Sequence, residues 1–130
     1  MPNARELPPT RYRVLVVEDD PAIRRLIGKL LERKGVSVDI ALDGNAAMSK
    51  LRENDYNAVV LDLMMPEVTG FQLIEFIKST GKRTPVAVVS AVSQQALTDL
   101  DLDIVKVVIS KPFDVDEFIK AIITLCTDEP

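Results

Sequence analysis

Apolar and polar positions along the chain follow two periods. The run Ala58-Val59-Val60-Leu61 is apolar at every position, stops on Asp62, and meets Pro66 four residues later. Such a run predicts a central strand buried on both faces, with Asp62 held at its mouth. Tyr12 to Val17, Pro85 to Val89 and Val105 to Ile109 read as further strands, while Val36 to Ala41 alternates Val, Ser, Val, Asp, Ile and predicts a less buried outer strand. Between the strands the spacing becomes helical. Ile23, Leu26, Ile27, Leu30 and Leu31 form the inward stripe of a first helix that Asp20-Pro21 opens and Gly35 stops. Gly28 inside it costs about 1 kcal/mol against alanine, and close packing on the sheet is the expected reason for its presence. A second helix follows Asp43-Gly44, with Ala47, Met48 and Leu51 inward. A third is capped by Thr69, buries Leu73, Ile74 and Ile77, and closes at Gly81. A short fourth starts at Ser93. The fifth is capped by Asp114, carries Asp116 and Glu117 near its positive end, and is packed down by Phe118, Ile119, Ile122 and Ile123. The period-two stretch Asp99 to Asp103 supports no assignment. Five strands alternating with five helices predict a doubly wound α/β fold, a parallel sheet covered on both faces by right-handed crossovers.

Composition narrows the function classes. The chain has 130 residues, 47% hydrophobic and 28% charged, as expected for a globular domain. That length buries roughly two thirds of the unfolded surface. Residues 1–11, with Pro2, Pro8 and Pro9, read as a flexible lead-in; 12–127 form the single domain, and 128–130 a tail or the start of a linker. A net charge of −4 argues against direct nucleic-acid binding, which needs a clustered basic face. Arg24-Arg25 and Arg33-Lys34 read as solvated surface on the first helix. The single cysteine, Cys126, permits no internal disulfide, fits a reducing cytoplasm, and reads as a small apolar side chain near the end of the last helix. No apolar run spans a membrane, and the N-terminus has no signal-peptide core. With no histidine, Ser-His-Asp, Cys-His and histidine–zinc chemistry are excluded, and there is no glycine-rich phosphate loop. Chemistry must come from carboxylates, hydroxyls and lysine.

Those groups stand at strand ends. Four of the five strands finish on Glu18-Asp19, Asp62, Ser90 and Lys111, which a parallel sheet brings to one edge. Each alone has a plainer reading: an acidic cap, a turn former, a satisfied hydroxyl, a surface lysine. Their joint appearance at successive strand ends favours a site. Converging carboxylates need a positive partner, and Mg2+ suits an all-oxygen set, whereas softer metals lack imidazole or thiol ligands here. A carboxylate beside Mg2+ can act as a nucleophile toward phosphorus and form an acyl phosphate. Lys111 would supply charge and Ser90 a hydrogen bond.

The chain resembles a receiver domain of bacterial two-component response regulators. The resemblance rests on Val-Val-Glu-Asp-Asp-Pro at 16–21, Leu-Asp-Leu-Met-Met-Pro at 61–66 with Gly70, Val-Ser-Ala at 89–91 and Lys-Pro-Phe at 111–113. It implies a flavodoxin-like sheet of order 2-1-3-4-5 and a cis Lys111–Pro112 bond. It also implies Asp62 as phosphoacceptor, Ser90 as switch hydroxyl and Lys111 as phosphate-binding lysine. Mg2+ would be held by Asp19 directly, Glu18 through water, Asp62, and the main-chain carbonyl of Met64. The module would be a phosphoprotein that assists its own aspartyl phosphorylation and dephosphorylation rather than an enzyme. Its partners would be a sensor histidine kinase or phosphotransfer protein, and a downstream effector or a C-terminal output domain. A homodimer through the fourth helix, fifth strand and fifth helix is among the assemblies the resemblance admits. A stand-alone receiver and a fragment are both compatible with an ending at Thr127-Asp128-Glu129-Pro130.

Some positions depart from the family pattern. Val108 stands where many relatives carry an aromatic residue that follows the hydroxyl inward, and Ile104-Val105 replaces the usual Gly-Ala pair before the fifth strand. Intact chemistry with a different relay is the expectation. Apolar Met64 and Val92 flank the site where polar groups often orient the attacking water, which implies a long-lived acyl phosphate. Two rival readings are a phosphorylation-independent interaction domain that keeps the acidic pocket as a relic, and a Mg2+-dependent phosphatase-type enzyme. The second lacks a general acid and a lid insertion.

Overall fold

The β-branched runs form one five-stranded parallel sheet in a computed structural model that describes residues 12–63, 69–91 and 102–127. The strands are β1 (Arg13–Val17), β2 (Ser37–Ala41), β3 (Ala58–Leu61), β4 (Val86–Ser90) and β5 (Val105–Ser110), in the spatial order β2-β1-β3-β4-β5. The helices are α1 (Pro21–Glu32), α2 (Gly44–Glu53), α3 (Gly70–Ser79) and α4 (Val115–Thr127). The doubly wound architecture and strand order are those expected. The lead-in at 1–11, the helix expected from Ser93 and the tail at 128–130 lie outside the described residues, so α4 is the helix expected fifth. Among the described residues no helix is long and apolar enough to cross a membrane.

Local chemistry sets the helix ends. Asp20 caps α1 by accepting from the amides of Ala22 and Ile23, with Pro21 at the first helical position. Asp43 caps α2 through the Ala46 amide. Thr69 and Gln72 form a reciprocal capping box on α3, and Asp114 accepts from the Glu117 amide at the start of α4. After α1 and α3 the chain reverses at Gly35 and Gly81, both in left-handed backbone with φ of 81° and 75°.

The sheet separates two cores. Leu15, Leu61 and Val88 point to the layer covered by α2 and α3, where Leu51, Leu73 and Ile77 meet them. Val14, Val16 and Val60 point to the layer of α1 and α4, against Ile27, Leu31 and Phe118. Burial of alternate residues on opposite faces explains why β3, and β1 from Val14 onward, are apolar at every position. Cys126 is buried in the second layer, and burial pushes its thiol up to about 11, so it acts as a packed apolar group.

Two expectations for α1 are corrected. Leu26 is not core: it is 44% exposed, because its position falls at the margin of the stripe that Ile27 and Leu31 carry inward. Gly28 is buried but is not required by close packing. A methyl built there would come no nearer than 3.8 Å to the Ile40 side chain and 4.0 Å to that of Val38, which is ordinary contact. Gly28→Ala is therefore expected to stabilise the fold by roughly 0.5–1 kcal/mol. Calorimetry should then show a melting temperature higher by roughly 2–5 °C. A lower one would mean that the groove beside β2 cannot accept the methyl.

Candidate functional site

Four of the five strands deliver a functional group at the same edge. Glu18 directly follows β1, Asp62 follows β3, Ser90 is the last residue of β4, and Lys111 follows β5. Register makes them neighbours. Val17 pairs with Leu61, and the Asp62 amide donates to the Val17 carbonyl at 3.2 Å, so Glu18 and Asp62 leave the sheet side by side. Ser90 pairs with Ser110, and the Lys111 amide donates to the Ser90 carbonyl at 3.1 Å. The Lys111–Pro112 bond is cis, as expected.

The side chains converge on Asp62. Ser90 Oγ donates to Asp62 Oδ1 at 3.2 Å, and Lys111 Nζ donates to Asp62 Oδ2 at 3.1 Å. The same ammonium reaches Glu18 Oε1 at 2.8 Å, while the Asp20 amide donates to Glu18 Oε2 at 3.1 Å. Glu18, Asp62 and Ser90 are buried, whereas Asp19 is exposed. Burial raises the Glu18 carboxyl above its ordinary range, only partly countered by the Lys111 ammonium and the Asp20 amide. Burial would lower Lys111, but the hydrogen bonds and charges of Glu18 and Asp62 outweigh it and hold the ammonium above its usual value. One lysine thus serves as counter-ion to two carboxylates on different strands.

The donor set fits a hard divalent cation. Glu18, Asp19 and Asp62 each offer a carboxylate oxygen, all within 4.8 Å of one another. Oxygen-only ligation by such a group matches Mg2+. Both oxygens of Glu18 are engaged within the protein, while the Asp19 carboxylate has no hydrogen-bond partner among the described residues. Asp19 is accordingly the carboxylate with most freedom to ligate directly. Met64, expected to add its carbonyl, and Val92 lie outside the described residues.

Two residues matter more than sequence reasoning allowed. Arg24 was expected to be solvated surface, yet its guanidinium Nη1 donates to the carbonyls of Glu18 and Asp19 at 3.2 and 3.5 Å. Its place one turn past the Asp20 cap was the available signal, since helical side chains lean toward the N-terminus. Gly70 was noted only as part of a motif. Its amide donates to the Leu63 carbonyl at 2.9 Å, and a methyl there would lie 2.5 Å from Leu63 Cα and 2.8 Å from the Asp62 carbonyl oxygen.

A family model described as the response regulator receiver domain matches residues 14–123. The chain is 37% identical over 112 residues to the transcriptional regulatory protein DltR of Streptococcus agalactiae, an alignment covering 85% of this chain and 50% of DltR. It spans about half the length of the curated relatives it matches. Among solved structures, the receiver domain of the Francisella response regulator 1452 superposes with a TM-score of 0.82 at 30% identity, covering 89% of this chain and 97% of that one. The response regulator protein TrrA of Thermotoga maritima, solved in complex with Mg2+–BeF, superposes with a TM-score of 0.79 at 29% identity, covering 88% and 98%.

Proposed function

The chain belongs to the response regulator receiver domain family, and from that premise we propose that Asp62 is its phosphoacceptor in two-component signalling. The observation that carries this reading is the meeting of Ser90, Lys111 and the adjacent carboxylates of Glu18 and Asp19 around Asp62, groups delivered by the ends of four strands. Residues 12–127 form the module.

In the proposed transfer an Asp62 carboxylate oxygen attacks phosphorus, forming the acyl phosphate bond as the bond from phosphorus to the donor breaks. The Lys111 ammonium, held charged by its carboxylate partners, faces an incoming phosphoryl oxygen, and the Ser90 hydroxyl can turn from Asp62 Oδ1 to donate to another. Glu18, Asp19 and Asp62, with the Met64 carbonyl, would hold Mg2+, which when bound neutralises charge on the carboxylates and the transferring group. The module is a signalling domain that assists its own phosphorylation and dephosphorylation.

The donor is a sensor histidine kinase, a phosphotransfer protein or a small phosphodonor. A protein donor has an apolar surface to cover beside Lys111, formed by Ile23, Leu26, Pro112, Phe113 and Val115. The reader of the signal is an effector protein or an output domain, with self-association through the β5–α4 face as one mode. On that face Val108 is 42% exposed, which supports a relay that does not use an inward-turning aromatic. The buried, reduced Cys126 and the acidic composition fit a cytoplasmic module that does not itself contact nucleic acid.

Incubation with Mg2+ and a small phosphodonor tests the reading. Mass spectrometry should find one phosphoryl group, labile to hydroxylamine, and amide NMR shifts centred on Asp62, Ser90 and Lys111 should appear with beryllofluoride. No uptake in the presence of Mg2+ would overturn it.

A further inference from the structure

Arg24 stands one helical turn beyond the α1 cap, and its side chain reaches back to the loop that carries the acidic pair. Its Nη1 donates to the main-chain carbonyl of Glu18 at 3.2 Å and to that of Asp19 at 3.5 Å. These carbonyls belong to the two residues whose carboxylates join Asp62 in the oxygen cluster. Other parts of the loop have their own ties. Glu18 is fixed by Lys111 and by the Asp20 amide, and the Asp20 side chain by the amides of Ala22 and Ile23. Asp19 differs. Its side chain is exposed and has no hydrogen-bond partner among the described residues, so its direction depends on the backbone beneath it. That backbone is what the guanidinium grips.

We propose that Arg24 is a positioning residue for cation binding, holding the Glu18–Asp19 backbone so that the Asp19 carboxylate is aimed into the cluster before the cation arrives. The proposal rests on the reading of Glu18, Asp19 and Asp62 as a Mg2+ site. Preorganisation of this kind removes an ordering cost from binding. The competing physics has the opposite sign: a guanidinium near three carboxylates repels a divalent cation, and its removal would tighten binding. The sign of the effect therefore decides between them.

The test uses the full chain and the substitutions R24M and R24K, with Mg2+ titrated against the amide resonances of residues 18–20 and 62. Methionine keeps the apolar stem and deletes both hydrogen bonds. The Mg2+ dissociation constant is expected to rise about fivefold to tenfold, because only part of the hydrogen-bond energy lost with the two contacts is carried into cation binding. Lysine keeps the charge but reaches one carbonyl at best, so R24K is expected to fall between wild type and R24M. At saturating Mg2+ both variants should regain the wild-type phosphorylation rate, which general damage to the site would not allow. Unchanged or tighter Mg2+ binding by R24M overturns the role of Arg24. If R24M does not fold, R24K alone decides, and wild-type affinity there overturns it equally. A wild-type chain that fails to bind Mg2+ overturns instead the reading of the cluster.

Discussion

Asp62→Asn is expected to reduce Mg2+-dependent phosphoryl uptake to background while leaving the domain folded. The amide keeps the shape of the carboxylate: its single oxygen can accept from Lys111, and its NH2 can donate to the Ser90 hydroxyl in place of the bond that Asp62 accepts there. It loses the nucleophilic oxygen and one of the three carboxylates that lie within 4.8 Å of one another. Losing that charge also relieves repulsion with Glu18 and Asp19, which offsets the weakened ion pair with Lys111. Folding stability should consequently change by no more than about 1 kcal/mol. Mass spectrometry after incubation with a small phosphodonor reads the first effect, and chemical denaturation reads the second. Wild-type uptake by the folded variant would place the phosphoryl group elsewhere.

The second large effect is expected at Gly70. A methyl there would come within 2.5 Å of Leu63 Cα and 2.8 Å of the Asp62 carbonyl oxygen, both of them backbone, so no flexible side chain can yield. The α3 start and the loop after β3 must separate instead, straining the bond from the Gly70 amide to the Leu63 carbonyl. Overpacking of this kind costs about 3 kcal/mol, which should lower the melting temperature by roughly 10 °C. The displaced segment carries Asp62, and a shift of about 1 Å at a reacting group can cost up to about a hundredfold in rate. Gly70→Ala is thus expected to melt earlier and, below its melting range, to take up phosphoryl groups about tenfold to a hundredfold more slowly. Gly28→Ala provides the contrast, since both glycines lie in helices and only the space around them differs. Wild-type melting and uptake by Gly70→Ala would show that the two segments do not abut as described.

Much of this arrangement is legible in the order of residues alone. The apolar run ending on Asp62 marked β3, the Asp20-Pro21 and Thr69 signals marked helix starts, and Gly35 marked a stop. These signals are local: a strand buried on both faces, or a cap accepting an amide three residues on, needs only its own neighbours. The candidate site was legible for a related reason. Once the sheet is parallel, residues that end successive strands must share an edge, so Glu18, Asp62, Ser90 and Lys111 could be grouped without any distance. Leu26 was misread because periodicity reports which stripe a residue lies near, and its exposure depends on how far the sheet extends beneath it.

By itself, then, the order of residues determined the alternation of strands and helices, which residues stand at the strand ends, and the family. Tertiary structure alone decided that one ammonium bridges Glu18 and Asp62, that Arg24 grips the acidic loop, and that Gly70 has no room for a methyl while Gly28 does. The physical reason is range. Periodicity and capping act over one or two turns, whereas Lys111 meets Glu18 across 93 positions of chain. Contacts of that span depend on how two covered faces and one sheet edge come together in space, where a few tenths of an ångström separate ordinary contact from collision.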